Sequence, residues 1–141
     1  MTATRGGGLV AVRMEDGEDL FPTLKGSLGD TATAIILSAI GMLRDFELGW
    51  LGPEGYVKTI FSEPFELLSI CGTINRKPDA SAFIHSHASL SGPNLSVVGG
   101  HLFKGTVHNT CELVLLVPKG LVFRREILRE GEPPRFCPEN A

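Results

Sequence analysis

The stretch that decides the fold runs from Ile84 to His101 and reads IHSHASLSGPNLSVVGGH. His85 and His87 are two residues apart, and His101 follows after a turn-rich insert. If Phe83 to Ala88 forms a strand, side chains two apart lie on one face, with their Cα atoms roughly 7 Å apart. We therefore expect the first two imidazoles to project in the same direction.

The insert between the histidines predicts a hairpin. Ser91-Gly92-Pro93-Asn94 is a cluster of turn-forming residues, and Val97 and Val98 restart a β-type run. Such a hairpin brings the third histidine back towards the first pair. Three neutral imidazoles that converge on one point form a site for zinc or another divalent transition metal, with one coordination position open. Each histidine taken singly also fits an ordinary core or surface position, and the sequence leaves both interpretations open.

Length and composition indicate one globular domain. A chain of 141 residues can bury about two-thirds of its unfolded surface. A hydrophobic content of 43% with 21% charged residues argues against disorder. The net charge of -3 and the pI of about 5.8 provide no basic field for nucleic acid or an anionic membrane. We divide the chain into a flexible N-terminus (1–8), a domain (9–128) and a C-terminal tail (129–141) that forms an extended arm.

Cysteine usage points to a reducing compartment. The three cysteines are odd in number and show no Cys-x-x-Cys spacing, and residues 1–8 do not resemble a signal peptide. We therefore expect a cytoplasmic location. Cys71 and Cys111 lie in apolar runs and are predicted to be small buried hydrophobic residues. The longest apolar stretch, Ala32 to Leu43, is too short to span a bilayer, so no membrane partner is expected.

Hydrophobic patterning predicts an α+β fold: a mostly antiparallel β-sheet of about seven strands with a few flanking helices in a single domain. Leu20, Leu24 and Leu28 recur at helical spacing after the N-cap residue Asp19, and Gly29 ends this helix. Strands are expected over 9–14, 31–43, 46–50, 56–61, 65–74, the histidine hairpin, 111–117 and 121–128, with 107–110 as a connection.

Several ordered blocks of the sequence resemble the PPC domain, a plant and prokaryote family. Its stand-alone prokaryotic members often carry the label "DNA-binding protein with PD1-like motif". The resemblance covers roughly Leu9 to Ile127. The blocks that carry it are Gly17-Glu18-Asp19-Leu20, Phe65-Glu66-Leu67-Leu68-Ser69-Ile70-Cys71-Gly72-Thr73-Ile74, His85-x-His87 and Val97-Val98-Gly99-Gly100-His101-Leu102.

The resemblance implies an antiparallel sheet with flanking helices that assembles as a homotrimer. In similar prokaryotic members, the histidines that match His85, His87 and His101 hold a divalent metal, commonly zinc. The fold is also similar to that of acetolactate decarboxylase, a zinc lyase with a His-x-His pair and a third histidine. We therefore expect a stand-alone metal-binding protein with a small-molecule ligand at the metal.

The sequence contains no motif that would account for DNA binding. Plant relatives bind AT-rich DNA through an AT-hook, whose Arg-Gly-Arg-Pro core enters the minor groove. Here Arg5-Gly6-Gly7-Gly8 lacks the second arginine and the proline. Phosphate contacts dominate nucleic-acid affinity, and this chain is acidic. We do not expect nucleic-acid binding by the chain alone. One alternative function is that of a DNA-associated or protein-interaction module within a larger assembly.

A zinc-dependent lyase or hydrolase of small keto or hydroxy acids is another class. It requires a group that moves protons beside the metal. The candidates are Glu18, Glu66 and Glu112, because each is flanked by apolar or small residues and needs a partner if buried. Glu112 could equally pair with Arg124 or Arg125 on the final strand.

Two further residues invite a functional interpretation. His108 lies outside the histidine motif and is expected at the surface or at an interface. Trp50 is expected in the core or in a trimer interface rather than as a stacking platform for bases.

Overall fold

The computed structural model describes residues 1–29 and 33–141, which form one β-sheet of nine strands and one α-helix. The predicted α+β fold with a dominant sheet is confirmed, although one helix takes the place of the expected few in the described part of the chain. The elements are β1 (Thr2–Gly6), β2 (Leu9–Glu15), α1 (Leu20–Leu28), β3 (Ala34–Gly52), β4 (Gly55–Phe61), β5 (Phe65–Arg76), β6 (Ala82–Ser91), β7 (Val97–Leu116), β8 (Leu121–Glu126) and β9 (Arg135–Asn140).

Nearly all strand pairs in the sheet are antiparallel. Neighbours run in the order β1-β2-β7-β3-β5-β8-β9, while β4 pairs with β3, and β6 pairs with both β5 and β7. The single β5–β8 bridge is parallel. Strands β3, β5, β6 and β7 therefore hydrogen-bond in a closed circuit. Their buried side chains form one hydrophobic cluster with those of β2 and α1.

Helix α1 begins after Asp19 and ends at Leu28, as its leucine spacing predicts. Leu20, Leu24 and Leu28 are all buried in the hydrophobic cluster. The Asp19 side chain makes no capping hydrogen bond and instead accepts one from the Thr106 hydroxyl at 3.4 Å. With nine residues, α1 is too short to cross a membrane, and the described residues contain no helix that could do so.

Two strands are longer than the sequence predicts because bulges bend them without ending them. Strand β3 joins two predicted strands and passes through Asp45, whose φ is 49°. The predicted connection 107–110 lies inside β7, where Asn109 has a φ of 62°. Asp and Asn tolerate this region better than most residues. Thr31 and Ala32, the first residues of the predicted strand 31–43, lie outside the described residues.

Both chain ends form paired strands, at the places where the sequence analysis expects a flexible N-terminus and an extended C-terminal arm. Strand β1 pairs with β2 through a turn in which Gly7 and Gly8 have positive φ values of 57° and 82°. The glycines near the start of the chain thus form the turn of a β-hairpin. Strand β9 folds back on β8. Composition alone does not reveal these strands, because each depends on a partner that offers a free edge.

Gly72 sets the approach of β5 to β6 beside His85. A Cβ atom at Gly72 would overlap the carbonyl oxygen of His85 and lie 2.7 Å from the Cα atom of Ser86. We expect Gly72→Ala to lower the free energy of unfolding by about 1–3 kcal/mol through overpacking. Gly26→Ala in α1, where a Cβ meets nothing within 4 Å, should instead raise it by about 0.5–1 kcal/mol. Urea denaturation measures both, and equal effects would contradict the steric explanation.

Candidate metal centre

Strand register brings His85, His87 and His101 together, and we call these three residues the histidine cluster. His87 lies directly opposite His101 in the β6–β7 pair, and His85 shares the face of His87 by alternation. The ring centroids of the three pairs are 5.3–5.6 Å apart. One nitrogen of each ring lies within 4.8 Å of the others. The predicted convergence of the three histidines is therefore confirmed.

The histidine cluster is close enough to hold a metal ion. Zinc–nitrogen bonds are about 2.0–2.1 Å long, so nitrogens within 4.8 Å of one another reach coordinating positions by small side-chain rotations. The donor set consists of imidazoles alone, which suits zinc, copper, nickel and iron better than calcium or magnesium. Three protein ligands leave a tetrahedral ion with one open position.

Burial keeps two of the three imidazoles neutral. It lowers the pKa of His101 to about 4, and positive charge on His85, His87 and Lys58 acts in the same direction. Burial likewise lowers the pKa of His85, aided by the charges of Arg125 and His87. Metals bind the neutral imidazole, so little proton competition opposes binding to these rings at neutral pH.

Aromatic side chains hold His101 in place. Its ring lies 4.5 Å from that of Phe103 and 5.1 Å from that of Tyr56, measured between centroids. The Tyr56 hydroxyl is also 3.4 Å from Nδ1 of His101. Gly49 is the direct β3 partner of His101, and a Cβ there would lie 2.5 Å from the Phe103 ring. Glycine at this position therefore leaves room for the aromatic pair, which the sequence analysis did not connect with the site.

Arg125 on β8 also reaches the histidine cluster. Its Nη2 atom is 2.7 Å from Nδ1 of His85. The guanidinium carbon lies 5.6 Å from the ring centroids of both Phe83 and Phe136, within cation–π range. The sequence gives no local signal for this contact, because it depends on β8 lying beside β5.

The predicted pairing of Glu112 with the final strand is wrong. Strand β8 neighbours β5 and not β7, so Arg124 and Arg125 are remote from Glu112 in the sheet order. Arg124 pairs with Glu139 at 3.0 Å. Glu112 is exposed and lies opposite Arg13 and Ile40. Its apolar sequence neighbours reflect alternation, with their side chains turned to the other face.

The three candidate carboxylates stand apart from the histidine cluster. Glu18 accepts a hydrogen bond from the Glu15 amide at 2.7 Å, which lowers the pKa of Glu18, and it pairs with the N-terminal amine at 3.2 Å. Glu66 is exposed on β5, as Glu112 is on β7. Among the described residues, the one group of metal-binding side chains contains only histidines. Glu18, Glu66 and Glu112 are not part of this group.

The two central cysteines differ from each other in burial. Cys111 is fully buried as predicted, and burial raises the pKa of its thiol to about 12. Cys71 is exposed, so its predicted burial is wrong. It lies opposite His87 in the β5–β6 pair and lines a shallow pocket with His85 and His87. An apolar run in a strand alternates faces, which explains the misassignment.

The other two singled-out residues lie away from the cluster. His108 is partly exposed, with Nδ1 2.9 Å from Arg44 and 3.6 Å from Asp16. This position agrees with the predicted surface role. Trp50 is 68% exposed in the single chain, which excludes the core interpretation.

Fold and site together define a small β-sheet protein with a three-histidine centre. The model of the Plants and Prokaryotes Conserved (PCC) domain matches residues 1–117. The chain therefore belongs to this family, also written PPC, as the sequence blocks indicate. No curated protein gives a match.

Solved structures agree in fold. A plant- and prokaryote-conserved (PPC) protein from Pyrococcus horikoshii is 29% identical, with a TM-score of 0.80 over 94% of this chain and 92% of that one. A metal-containing protein from Archaeoglobus fulgidus is 31% identical, with a TM-score of 0.81 over 93% and 94%. A Salmonella enterica protein is 25% identical, with a TM-score of 0.81 over 99% and 95%.

The lowered pKa of His101 makes the metal-free protein less stable in mild acid. A folded-state pKa of about 4 against an ordinary 6.5 means that the unfolded chain binds the proton first as the pH falls. Between about pH 7 and pH 5 we expect a loss of about 1 kcal/mol, after allowance for the partial exposure of the ring. His101→Gln should flatten this slope in thermal melts with chelator. An unchanged slope would contradict the assignment.

Proposed function

We propose that this protein binds one divalent metal ion per chain, zinc in the first place, through His85, His87 and His101. The observation that carries the proposal is the approach of three ring nitrogens to within 4.8 Å of one another. The metal-containing relative from Archaeoglobus fulgidus supports it. We further propose that a small molecule occupies the open coordination position of the metal.

Binding is better supported than turnover. Zinc at this centre would supply Lewis acidity at its open position. A lyase or hydrolase also needs a group that moves protons next to the reacting atoms. Glu18, Glu66 and Glu112 lie outside the histidine cluster, so no candidate carboxylate is available for that step. The geometry favours a metal centre that recognises a ligand.

The proposal predicts stoichiometric zinc binding that stabilises the fold. Elemental analysis after dialysis against zinc should give one ion per chain. At free zinc about 100 times Kd, linkage adds about 2.7 kcal/mol, which raises Tm by roughly 5–10 °C. His85→Ala, His87→Ala and His101→Ala should each weaken binding by more than the roughly 10- to 100-fold typical of outer-shell losses.

His108→Ala is the matched control, because it removes an imidazole that lies with Arg44 and Asp16 instead of the cluster. This variant should keep wild-type zinc affinity and the full rise in Tm. Loss of zinc binding in the control, or retention in all three cluster variants, would disprove the assigned ligands.

We also propose that the chain assembles as a homotrimer, as its family resemblance implies. The β3–β4 hairpin supports an assembly, because it exposes a group of large apolar side chains. Isolated apolar residues are normal at a surface, but here both faces of one hairpin expose them: Trp50 lies opposite Val57 on one face, and Leu51 and Ile60 lie on the other. The group consists of Trp50 (68% exposed), Leu51 (62%), Val57 (65%) and Ile60 (58%).

Sedimentation equilibrium tests this assembly. We expect a mass three times the 15.2 kDa of the chain, and a shift to monomer for the double variant Trp50→Glu, Val57→Lys. These residues face each other across the hairpin, so two charges there remove its apolar contact. Leu95→Lys changes an exposed leucine in the β6–β7 turn and should leave the mass unchanged. A wild-type monomer would refute the trimer.

A further inference from the structure

The positively charged Arg125 contacts the histidine cluster, for which we propose a metal cation as ligand. Its Nη2 donates to Nδ1 of His85 at 2.7 Å, and its guanidinium carbon lies 5.6 Å from the ring centroids of both Phe83 and Phe136. The Nε atom is buried without an acceptor. Among the described residues, no carboxylate forms an ion pair with this guanidinium, whereas its neighbour Arg124 has Glu139.

The hydrogen bond fixes the state of His85. A guanidinium has five N–H donors and no acceptor, so Nδ1 of His85 must offer its lone pair. The proton of the neutral ring then sits on Nε2. In this state, the one free lone pair of the imidazole is already used by Arg125.

Metal binding through His85 must break this hydrogen bond. If the ring binds metal through Nδ1, the lone pair is taken. If it binds through Nε2, the proton moves to Nδ1, which then becomes a donor facing another donor. Tyr56 differs in this respect, because its hydroxyl can accept from His101 as well as donate to it. Of the two side-chain hydrogen bonds to the cluster in the described part of the chain, the one from Arg125 is incompatible with a bound metal.

A guanidinium freed next to a bound metal dication needs a negative partner. The two cations repel each other, and the described residues place no carboxylate on Arg125 or in the histidine cluster. We propose that Arg125 is an anion-binding residue and that the ligand of this centre is a small organic carboxylate, shared between the guanidinium and the open metal position. This inference rests on the proposed metal binding and names the ligand class for it.

The surroundings of Arg125 suit an organic anion. A cavity of about 270 Å³ adjoins the guanidinium and is mostly apolar. Planar guanidinium groups bind carboxylates through two parallel hydrogen bonds, and the aromatic rings limit the orientations of this one. The other residues that line the cavity are Lys77, Pro78, Phe83, Ile127 and Pro134. The carboxylate can thus lie at the arginine while an apolar substituent fills the cavity.

The inference predicts coupling between two ligands. A carboxylate that satisfies Arg125 relieves its repulsion of the metal, so the carboxylate should raise zinc affinity, and zinc should raise carboxylate affinity by the same factor. A purely structural arginine would not make zinc affinity depend on an added anion.

The test measures zinc affinity by competition with a chromophoric chelator, in carboxylate-free buffer and with sodium acetate at matched ionic strength. In the wild type, acetate should tighten zinc binding by about tenfold or more, as hydrogen bonds between charged groups commonly do. Arg125→Gln should abolish this gain. Without acetate, the variant should bind zinc more tightly than the wild type, because no guanidinium competes for His85.

Arg124→Gln is the matched control on the same strand, and it should keep the full acetate effect. Arg125→Lys retains the charge without the planar fork, so its acetate effect should lie between wild type and Arg125→Gln. If circular dichroism shows that Arg125→Gln does not fold, Arg125→Lys still tests the role of the guanidinium.

The results distinguish a failure of the role assigned to Arg125 from a failure of the proposed zinc binding. Zinc binding by the wild type with no acetate effect, or with the same effect in Arg125→Gln, overturns the role of Arg125 and leaves the metal centre intact. Absence of zinc binding by the wild type overturns the proposed function and this inference with it.

Discussion

The pairing register between β6 and β7 is the constraint on which the site depends. It places His87 opposite His101, and a shift of one residue would turn either histidine to the other face of the sheet. The hairpin turn fixes this register through two backbone hydrogen bonds, from Gly92 to Ser96 and from Leu95 to Gly92. Gly99 and Gly100 follow, and a Cβ on Gly100 would lie 2.7 Å from the Gly49 carbonyl oxygen. The same glycines that let strands approach closely also fix where the imidazoles meet.

Charge is distributed unevenly around the centre. The three imidazoles carry no negative charge, and the charged side chains that reach them or their aromatic neighbours are cationic: Arg125 beside His85 and Lys58 over Phe103. Lys58 is offset by Glu47 at 3.5 Å, whereas Arg125 has no such partner in the described chain. A dication would add to an already positive site. The electrostatics thus favour an anion beside any metal ion bound at this cluster.

Local patterns in the sequence were enough for the histidine centre and for α1. Alternation placed His85 and His87 on one face, turn chemistry returned His101, and leucine spacing located the helix. Long-range partners were not accessible in this way. The position of β8 beside β5, and hence the Arg125–His85 contact, follows from sheet order and not from any local pattern. Cys71 was misassigned for a related reason, because a uniformly apolar run does not say which face is covered.

The family model covers the histidine cluster but not the residues of β8 and β9 that lie beside it. The family model ends at residue 117, and everything needed for the histidine cluster lies within it. Arg125 and Phe136 lie beyond it, on β8 and β9. The matched segment therefore builds the histidine cluster, and the C-terminal hairpin adds the guanidinium of Arg125 and the aromatic ring of Phe136 beside it. A change confined to this hairpin could alter the surroundings of the histidine cluster without moving a histidine, because β8 reaches the cluster through the Arg125 side chain and joins the sheet at β5.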